Sequence, residues 1–237
     1  MNARPQARRP RRRRAALVSA VAALTVVAAA GAGEYAARGL IRHRVLAAAP
    51  SLGGDPAVHP DGSALWDLLH RRIPRLDVSS DDALVGPLAH ASVRAHLDGV
   101  RLGGTTARVA GSHAEVTVPT ASIGAAVQDA VPSMPVGAVT TDPAAGTVVV
   151  TLGRGGIGRL TLRPTLDAGR VSFPVAELTL LGRSVPPERL GAAAHGLGPA
   201  AGPQRPYPLA LRATTATVLP DGVRITLDGG PADLPAP

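Results

Sequence analysis

Residues 142–169 have the sequence DPAAGTVVVTLGRGGIGRLTLRPTLDAG, and this stretch indicates the fold class. Apolar side chains alternate with other residues in two runs, at Val148, Val150, Leu152, Leu160, Leu162 and Leu166. Alternation with period two predicts strands with one buried face, so these residues should point inward while Arg159, Arg163 and Thr165 point outward. The turn sequences at 142–146 and 167–169 are short enough to form hairpins, and we therefore expect an antiparallel sheet.

The same pattern extends along the chain. Val223, Ile225 and Leu227 alternate after the turn at 220–222. In the run from Ala91 to Leu102 the apolar positions change from odd to even numbers at Gly99, which predicts a bulge or bend in a long strand. Short helices are predicted at Ser63–His70, Thr120–Val131 and Pro187–His195, and a loop at Gly196–Pro208. The predicted class is α+β: a curved, mostly antiparallel sheet of eight or nine strands with a few short helices.

Basic residues are concentrated at the N-terminus. Seven of the 25 Lys and Arg residues lie within residues 1–14, a segment that contains no acidic residue. The remaining 18 arginines are matched by 17 acidic residues, although the net charge of the whole chain is +8. A nucleic-acid-binding domain spreads its basic residues over the folded surface, so we expect no nucleic-acid partner and interpret residues 1–14 as a cytoplasmic tail.

An uncharged run of 19 residues, 15–33, follows the basic tail. Its length and flanking arginines are typical of a transmembrane anchor inserted with its N-terminus inside the cell. Small residues at Ala28, Ala30 and Ala32 also fit a cleaved signal peptide. In either case residues 34–50 are predicted to form a connecting helix, and 51–237 a single extracytoplasmic domain. The protein is then either a single-pass protein of the cell membrane or one exported from the cytoplasm.

No catalytic constellation can be recognised. The chain lacks Lys and Cys, and its seven histidines form no metal-ligand motif. The glycines at 153, 155 and 158 match G-x-G-x-x-G, but a strand pattern rather than a helix follows, which favours a hairpin loop. Asp81 and Asp82 are interpreted as a solvated turn, and Ser184 lacks the context of a nucleophile elbow. We expect no enzymatic activity, no metal and no cofactor.

An apolar groove for acyl chains needs aliphatic or aromatic walls and a cationic mouth for phosphate. The short helix that contains the only tryptophan, with the only phenylalanine elsewhere in the chain, supplies candidate walls: Leu65, Trp66, Leu69 and Phe173. Arg71 and Arg72 follow this helix and could bind a headgroup, or they could complement the helix C-terminus. Equally, Trp66 and Phe173 could fill a core built from small aliphatic side chains.

The chain resembles the LmeA-type phospholipid-binding proteins of actinobacterial cell envelopes. The resemblance rests on the order and spacing of five segments: GEYAARGLIRHRVLAAAP, SALWDLLHRRIPRLDVSS, LDGVRL, FPVAELTLLGRSVPPERL and YPLALRATTATVLPDGVRITLDG. It implies a fold similar to tubular lipid-binding domains and a phospholipid or membrane surface as partner. A role beside envelope glycolipid-assembly proteins is implied as well. The alternative is an extracytoplasmic protein-interaction or scaffold module without lipid cargo.

Overall fold

The computed structural model describes residues 33–43, 45, 52–53, 55–85, 87–103, 106–186 and 207–235. A first helix, α1, covers residues 33–43. The structure also describes helices α2 (Ala64–Leu69) and α3 (Thr120–Ala130) and a 3-10 turn (Pro208–Ala210). The strands are β1 (Ala57–Pro60), β2 (Arg72–Val85), β3 (Leu88–Leu102), β4 (Thr106–Val109), β5 (Gly111–Pro119), β6 (Val136–Asp142), β7 (Thr147–Leu152), β8 (Gly158–Leu162), β9 (Thr165–Asp167), β10 (Arg170–Ser172), β11 (Val175–Leu180), β12 (Arg183–Val185), β13 (Arg212–Leu219), β14 (Gly222–Gly229) and β15 (Ala232–Pro235).

The strands form two sheets and one separate hairpin. The main sheet has eight strands in the order β1-β2-β3-β5-β14-β13, and β4 pairs with both β3 and β15. The second sheet has the order β12-β11-β8-β7-β6, and β9 pairs with β10 alone. Every pairing is antiparallel, which confirms the predicted sheet type. Within the described residues, the main sheet does not close on itself.

Two apolar clusters line one face of the main sheet. Cross-strand partners point to the same face, and the ladder joins Val93 to Val116 and then Val116 to Ile225. These side chains belong to a large cluster that also contains α3, β7, β8 and Phe173. Further along β3, Leu97 belongs to a small cluster under α1 and α2. The opposite face carries polar side chains such as His96 and is exposed to solvent. The main sheet therefore has one dry, apolar face and one wet, polar face.

The alternation in residues 147–162 predicts the core correctly. Val148, Val150 and Leu152 are buried in β7, and Leu160 and Leu162 are buried in β8. The two sets also meet across the sheet, because Val148 is opposite Leu162 and Val150 is opposite Leu160. In β14, the predicted inward residues 223, 225 and 227 are buried as well.

The prediction for Leu166 is wrong, since this side chain is 42% exposed. β8 ends at Leu162, and the N–H of Arg163 donates to the carbonyl of Pro174 (3.2 Å) rather than to β7. Pro164 follows, and a proline cannot donate a ladder hydrogen bond. Leu166 therefore belongs to the separate β9–β10 hairpin, where the phase of β8 no longer applies.

Glycines mark the predicted bends and turns. Gly99 has φ of +61° near the C-terminal end of β3, and there the buried positions change from odd-numbered residues such as Leu97 to even-numbered ones such as Val100. Gly146 and Gly169 have positive φ in the turns of the β6–β7 and β9–β10 hairpins. Because only glycine adopts this backbone region without strain, these positions fix where the chain reverses. The G-x-G-x-x-G match at 153–158 forms the β7–β8 connection, as predicted, with no helix after it.

Several predictions need correction or lie outside the described residues. The count of eight or nine strands is too low, because short strands such as β12 carry too few residues to show a period. Asp81 and Asp82 lie within β2, at a register irregularity between Ser80 and Ala83, and not in a turn. Residues 1–32, which include the predicted tail and all but the last residue of the predicted membrane segment 15–33, are not described, nor is the predicted helix at 187–195. No helix among the described residues is long and apolar enough to cross a membrane.

Candidate functional site

Helix α2 is oriented with apolar side chains outward. Leu65, Trp66 and Leu69 are 44%, 62% and 73% exposed, whereas Ala64 and Asp67 are buried. Apolar residues at i, i+1 and i+4 of a six-residue helix would be expected to face the core. In most helices the large apolar side chains are buried and the carboxylates are exposed, and α2 shows the reverse. Its exposed apolar side chains therefore indicate an interaction surface.

Hydrogen bonds at its N-terminus hold α2 in this orientation. The Ser63 hydroxyl accepts from the N–H of Trp66 (3.3 Å), which is the usual role of an N-cap serine. Glu34 of α1 accepts from the N–H groups of Ala64 (2.8 Å) and Leu65 (3.0 Å) and from the Ser63 hydroxyl (2.9 Å). These N–H groups, that of Leu65 first, lower the pKa of Glu34 to about 2. The two helices are thus joined through a carboxylate that stays ionised.

Asp67 lies on the buried side of α2. Burial raises the pKa of its carboxyl, and the negative charges of Glu34 and Asp61 raise it further. Its Oδ2 atom has no hydrogen-bond partner among the described residues. A buried acceptor without a partner costs about 1–3 kcal/mol, so the orientation of α2 has an energetic cost. A leucine side chain in the same place would avoid that cost.

The predicted headgroup arginines follow α2 directly. Arg71 adopts a left-handed conformation (φ +52°), and its carbonyl accepts from the N–H of Leu102 at the end of β3 (2.9 Å). Arg72 is the first residue of β2. Both residues are exposed, and within the described residues neither forms an ion pair.

The predicted lipid-contacting residues do not form one groove. Leu65, Trp66 and Leu69 share α2, above the small cluster. Phe173 is 2% exposed and belongs to the large cluster, with core neighbours from the second sheet. A shallow depression of about 390 Å³ lies elsewhere, between α3 and β6, and is lined by Thr120, Ala121, Gly124, Ala125, Gln128, Val136, Gly137 and Val139.

Tyr35 of α1 was not identified from the sequence. Its side chain is 83% exposed, one residue after the glutamate that caps α2. The sequence signal is weak, because a single tyrosine beside Glu34 fits a core position as well as a surface one. The helix buries Ala37 and Ile41 in the small cluster instead, so its larger aromatic residue is left in water.

Two of the histidines, His96 and His113, lie on the wet face of the main sheet. His96 and His113 are opposite each other on β3 and β5, and their Nδ1 atoms contact the carboxylates of Asp77 (2.5 Å) and Asp228 (2.6 Å). His113 first, and then Thr214, lowers the pKa of Asp228. In the part of the chain that the structure describes, no three His, Asp or Glu side chains converge on a position for a metal.

Comparisons with known proteins match this chain to one family. Neither the comparison with curated proteins nor that with solved structures finds a match. The model of the LmeA-like phospholipid-binding family matches residues 24–228, which include α2, the second sheet, both apolar clusters and the main sheet except β15 and the last residue of β14. The chain therefore belongs to the LmeA-like phospholipid-binding family.

Proposed function

We propose that this protein binds phospholipid, without catalysing a reaction, through the apolar side of α2 on the outer side of a membrane. The observation that carries the proposal is the orientation of α2, which leaves Leu65, Trp66 and Leu69 in water while Asp67 is buried. Membership of a phospholipid-binding family supplies the chemical class of the ligand. This contact does not require an enclosed groove, because acyl chains can contact these side chains at the membrane surface.

The exposed apolar area is sufficient for a weak, reversible contact. At ~25 cal/mol per Å² and with the exposed fractions above, transfer of Leu65, Trp66 and Leu69 out of water contributes at most about 4–7 kcal/mol. This range corresponds to dissociation constants from about millimolar to about 10 micromolar. Tyr35 adds a second aromatic ring of the kind that favours the membrane–water interface. Such affinity suits a protein that must also release its lipid.

The sequence before α1 supports a location beside the membrane. The uncharged run 15–33 ends where α1 begins, and seven arginines precede it. An anchor there would hold α1 and α2 within reach of the bilayer surface, and a cleaved signal would export the domain instead. We propose an extracytoplasmic domain in both cases. We further propose, from what the sequence resemblance implies, that the protein assists envelope glycolipid assembly with assembly proteins as partners.

The fluorescence of Trp66 tests the lipid contact. The full chain in a non-ionic detergent is titrated with short-chain phosphatidylcholine below its micelle concentration, and we expect a blue shift because the ring leaves water. Trp66→Phe combined with Leu166→Trp is the matched control, since Leu166 is also exposed but lies on β9. A shift in the native protein that is absent in the control supports the proposal.

The opposite result has a clear meaning. If lipid leaves the Trp66 emission unchanged, the apolar side of α2 does not bind phospholipid. The exposed helix would then be an interface for another protein, and the scaffold function would replace the one proposed.

A further inference from the structure

Two turns meet at one end of the second sheet and expose large apolar side chains. The β7–β8 connection, residues 153–157, ends in Ile157, and the β11–β12 hairpin turns at Leu181 and Gly182. The N–H of Leu181 donates to the carbonyl of Ile157 (2.7 Å), so the two turns are neighbours. Ile157 is 49% exposed and Leu181 is 78% exposed. We name this pair, Ile157 and Leu181, the apolar tip.

Leu181 is unfavourable for folding in two respects. The two residues between the paired Leu180 and Arg183 form the hairpin turn. Both have positive φ, +50° at Leu181 and +74° at Gly182. Asparagine followed by glycine is preferred in such a turn, because a leucine is strained in the left-handed region. Leu209 also has positive φ (+60°), but it packs against the small cluster, whereas Leu181 lies in water. Neither the turn nor the core accounts for a leucine at this position.

Three exposed arginines lie beside the apolar tip. Arg154 belongs to the same connection as Ile157. The Ile157 side chain lies over the start of this connection, since a Cβ added to Gly153 would be 2.5 Å from Ile157 Cγ1. Arg159 on β8 and Arg183 on β12 each lie two residues from a member of the tip, roughly 7 Å along the chain. We name Arg154, Arg159 and Arg183 the tip arginines.

The tip arginines present positive charge on both sides of the sheet. Arg183 is opposite Leu180, which is itself opposite Gly158, so these three residues share one face. Arg159 follows Gly158 in β8 and therefore projects to the other face. A flat partner that met this end of the sheet would thus contact a cation on either side of the apolar tip.

The charges of the tip arginines are not neutralised within the described part of the chain. None of the three forms an ion pair there. Residues 143–166 and 178–186, the segments that build this end of the sheet, contain no acidic residue. Guanidinium groups bind lipid phosphates, and exposed aliphatic side chains enter the acyl boundary of a bilayer. Charge and apolar surface together therefore fit a bilayer with net negative charge.

We propose that the apolar tip and the tip arginines form a second contact with a membrane, at a surface that contains anionic phospholipid. The proposal rests on the proposed function for the class of partner. It adds a contact made by the second sheet rather than by α2, and it adds the charge of the lipid. Leu181 is then placed in its strained turn because the bilayer, and not the fold, stabilises its side chain.

The test uses a tryptophan placed in the apolar tip. In Trp66→Phe/Ile157→Trp, the reporter protein, the only tryptophan lies beside Leu181. The full chain is reconstituted into vesicles of phosphatidylcholine with brominated acyl chains, with or without phosphatidylglycerol. Bromine quenches the emission of a tryptophan that enters the acyl region, so we expect quenching that is stronger with phosphatidylglycerol. Trp66→Phe/Leu166→Trp is the control, since Leu166 is exposed on the separate β9–β10 hairpin.

Leu181→Asn in the reporter protein separates membrane contact from folding. It places the preferred residue in the turn, so the protein should melt no lower, while the ratio of bound to free tips falls by about tenfold. Ala168→Asn is the matched control, because Ala168 has positive φ (+48°) in the two-residue turn of β9–β10. It relieves the same strain without removing a large apolar side chain, and its quenching should be unchanged.

Removal of charge tests the tip arginines. Arg159→Gln/Arg183→Gln should lower the bound ratio on phosphatidylglycerol vesicles by about thirtyfold, the effect of two arginines near an anionic surface. Added salt should weaken the contact of the reporter protein in the same direction. Arg94→Gln/Arg101→Gln is the control, because it removes the same charge from exposed positions on β3.

Several results would overturn the proposal. Unquenched emission from the reporter protein would leave the apolar tip as a surface for another protein. Quenching that survives Leu181→Asn, or that is equal with and without phosphatidylglycerol, would remove the apolar or the cationic part of the contact. Equal quenching of the Leu166→Trp control would indicate general adsorption. A native Trp66 that does not respond to lipid would instead contradict the proposed function, and the quenching of the reporter protein is measured independently of it.

Discussion

Replacing Trp66 and Ile73 separately with alanine distinguishes a lipid-contacting side chain from a core side chain. Both residues lie at the same end of the protein, Trp66 on the outer side of α2 and Ile73 in the small cluster beneath it. We expect Trp66→Ala to weaken lipid binding with little loss of stability. We expect Ile73→Ala to lose stability while the intrinsic lipid contact is kept.

The magnitudes follow from the exposed fractions. Trp66 is 62% exposed, so it buries roughly 60–95 Å², and its replacement costs about 1–2 kcal/mol of unfolding free energy at ~25 cal/mol per Å². Ile73 is 1% exposed, and truncation of a fully buried isoleucine costs about 2–5 kcal/mol. The exposed part of Trp66 contributes at most about 2–4 kcal/mol when it enters lipid, so its loss should weaken binding by about tenfold and at most by about a thousandfold.

The assay combines two measurements on the full chain, the first in a non-ionic detergent and the second after the detergent has been diluted below its micelle concentration, so that vesicles stay intact. Urea denaturation followed by circular dichroism gives the free energy of unfolding, and co-sedimentation with phospholipid vesicles gives the partition coefficient. Sedimentation replaces fluorescence here because Trp66→Ala contains no tryptophan. If Trp66→Ala were as destabilising as Ile73→Ala and bound vesicles like the native protein, Trp66 would be a core residue and our argument would be refuted.

Four further predictions test the α1–α2 contact, the buried carboxyl of Asp67, the core of β8 and the side of the membrane on which the domain lies. Acidification should weaken the α1–α2 contact as pH falls from 4.5 towards about 2. Because the pKa of Glu34 is lowered from 4.5 to about 2, its carboxylate stabilises the fold fully only above pH 4.5. Thermal melts of Glu34→Gln should not show this acid-dependent loss of stability. Asp67→Asn should raise the unfolding free energy at pH 7, because it removes a carboxylate charge that burial disfavours. Since the pKa of Asp67 is raised, this gain should vanish below the ordinary value of 3.8, which denaturation at several pH values can check. Leu162→Ala should cost about 2–5 kcal/mol in urea denaturation and Leu166→Ala less than about 2 kcal/mol, since these residues are 0% and 42% exposed. A reporter that is active only in the cytoplasm should be inactive when fused after Pro237, and strong activity would place the domain inside the cell.

The strands could be predicted from the sequence because their apolar period is local information. The run Val148, Val150 and Leu152 identifies its inner face without knowledge of the partner strand. Gly99 predicted the change of face in β3 for the same reason, since both halves of the strand show their own phase. The pattern failed at Leu166, where a proline separates two segments that look like one run.

The site could be predicted only in part, because its features depend on non-local geometry. Four of the six residues in α2 are large and apolar or aromatic, so the sequence could not show that Leu65, Trp66 and Leu69 face outward. That direction is set by Glu34, which is some thirty residues away in the chain. Likewise, Arg72 becomes a neighbour of Arg101 only when β2 and β3 pair, and the sequence alone does not show this register.

The division of the apolar face into two clusters has a consequence for how the protein opens. The clusters meet at Leu52 and Ala95, and both of these side chains are only partly buried. Loosely coupled units of this kind unfold separately, and each has its own opening free energy. Amide hydrogens of α2 and of β2 near Ile73 should therefore exchange sooner than those of β5 and β14. The end that carries α2 can then come apart and re-form while the β5–β14 ladder keeps its protons.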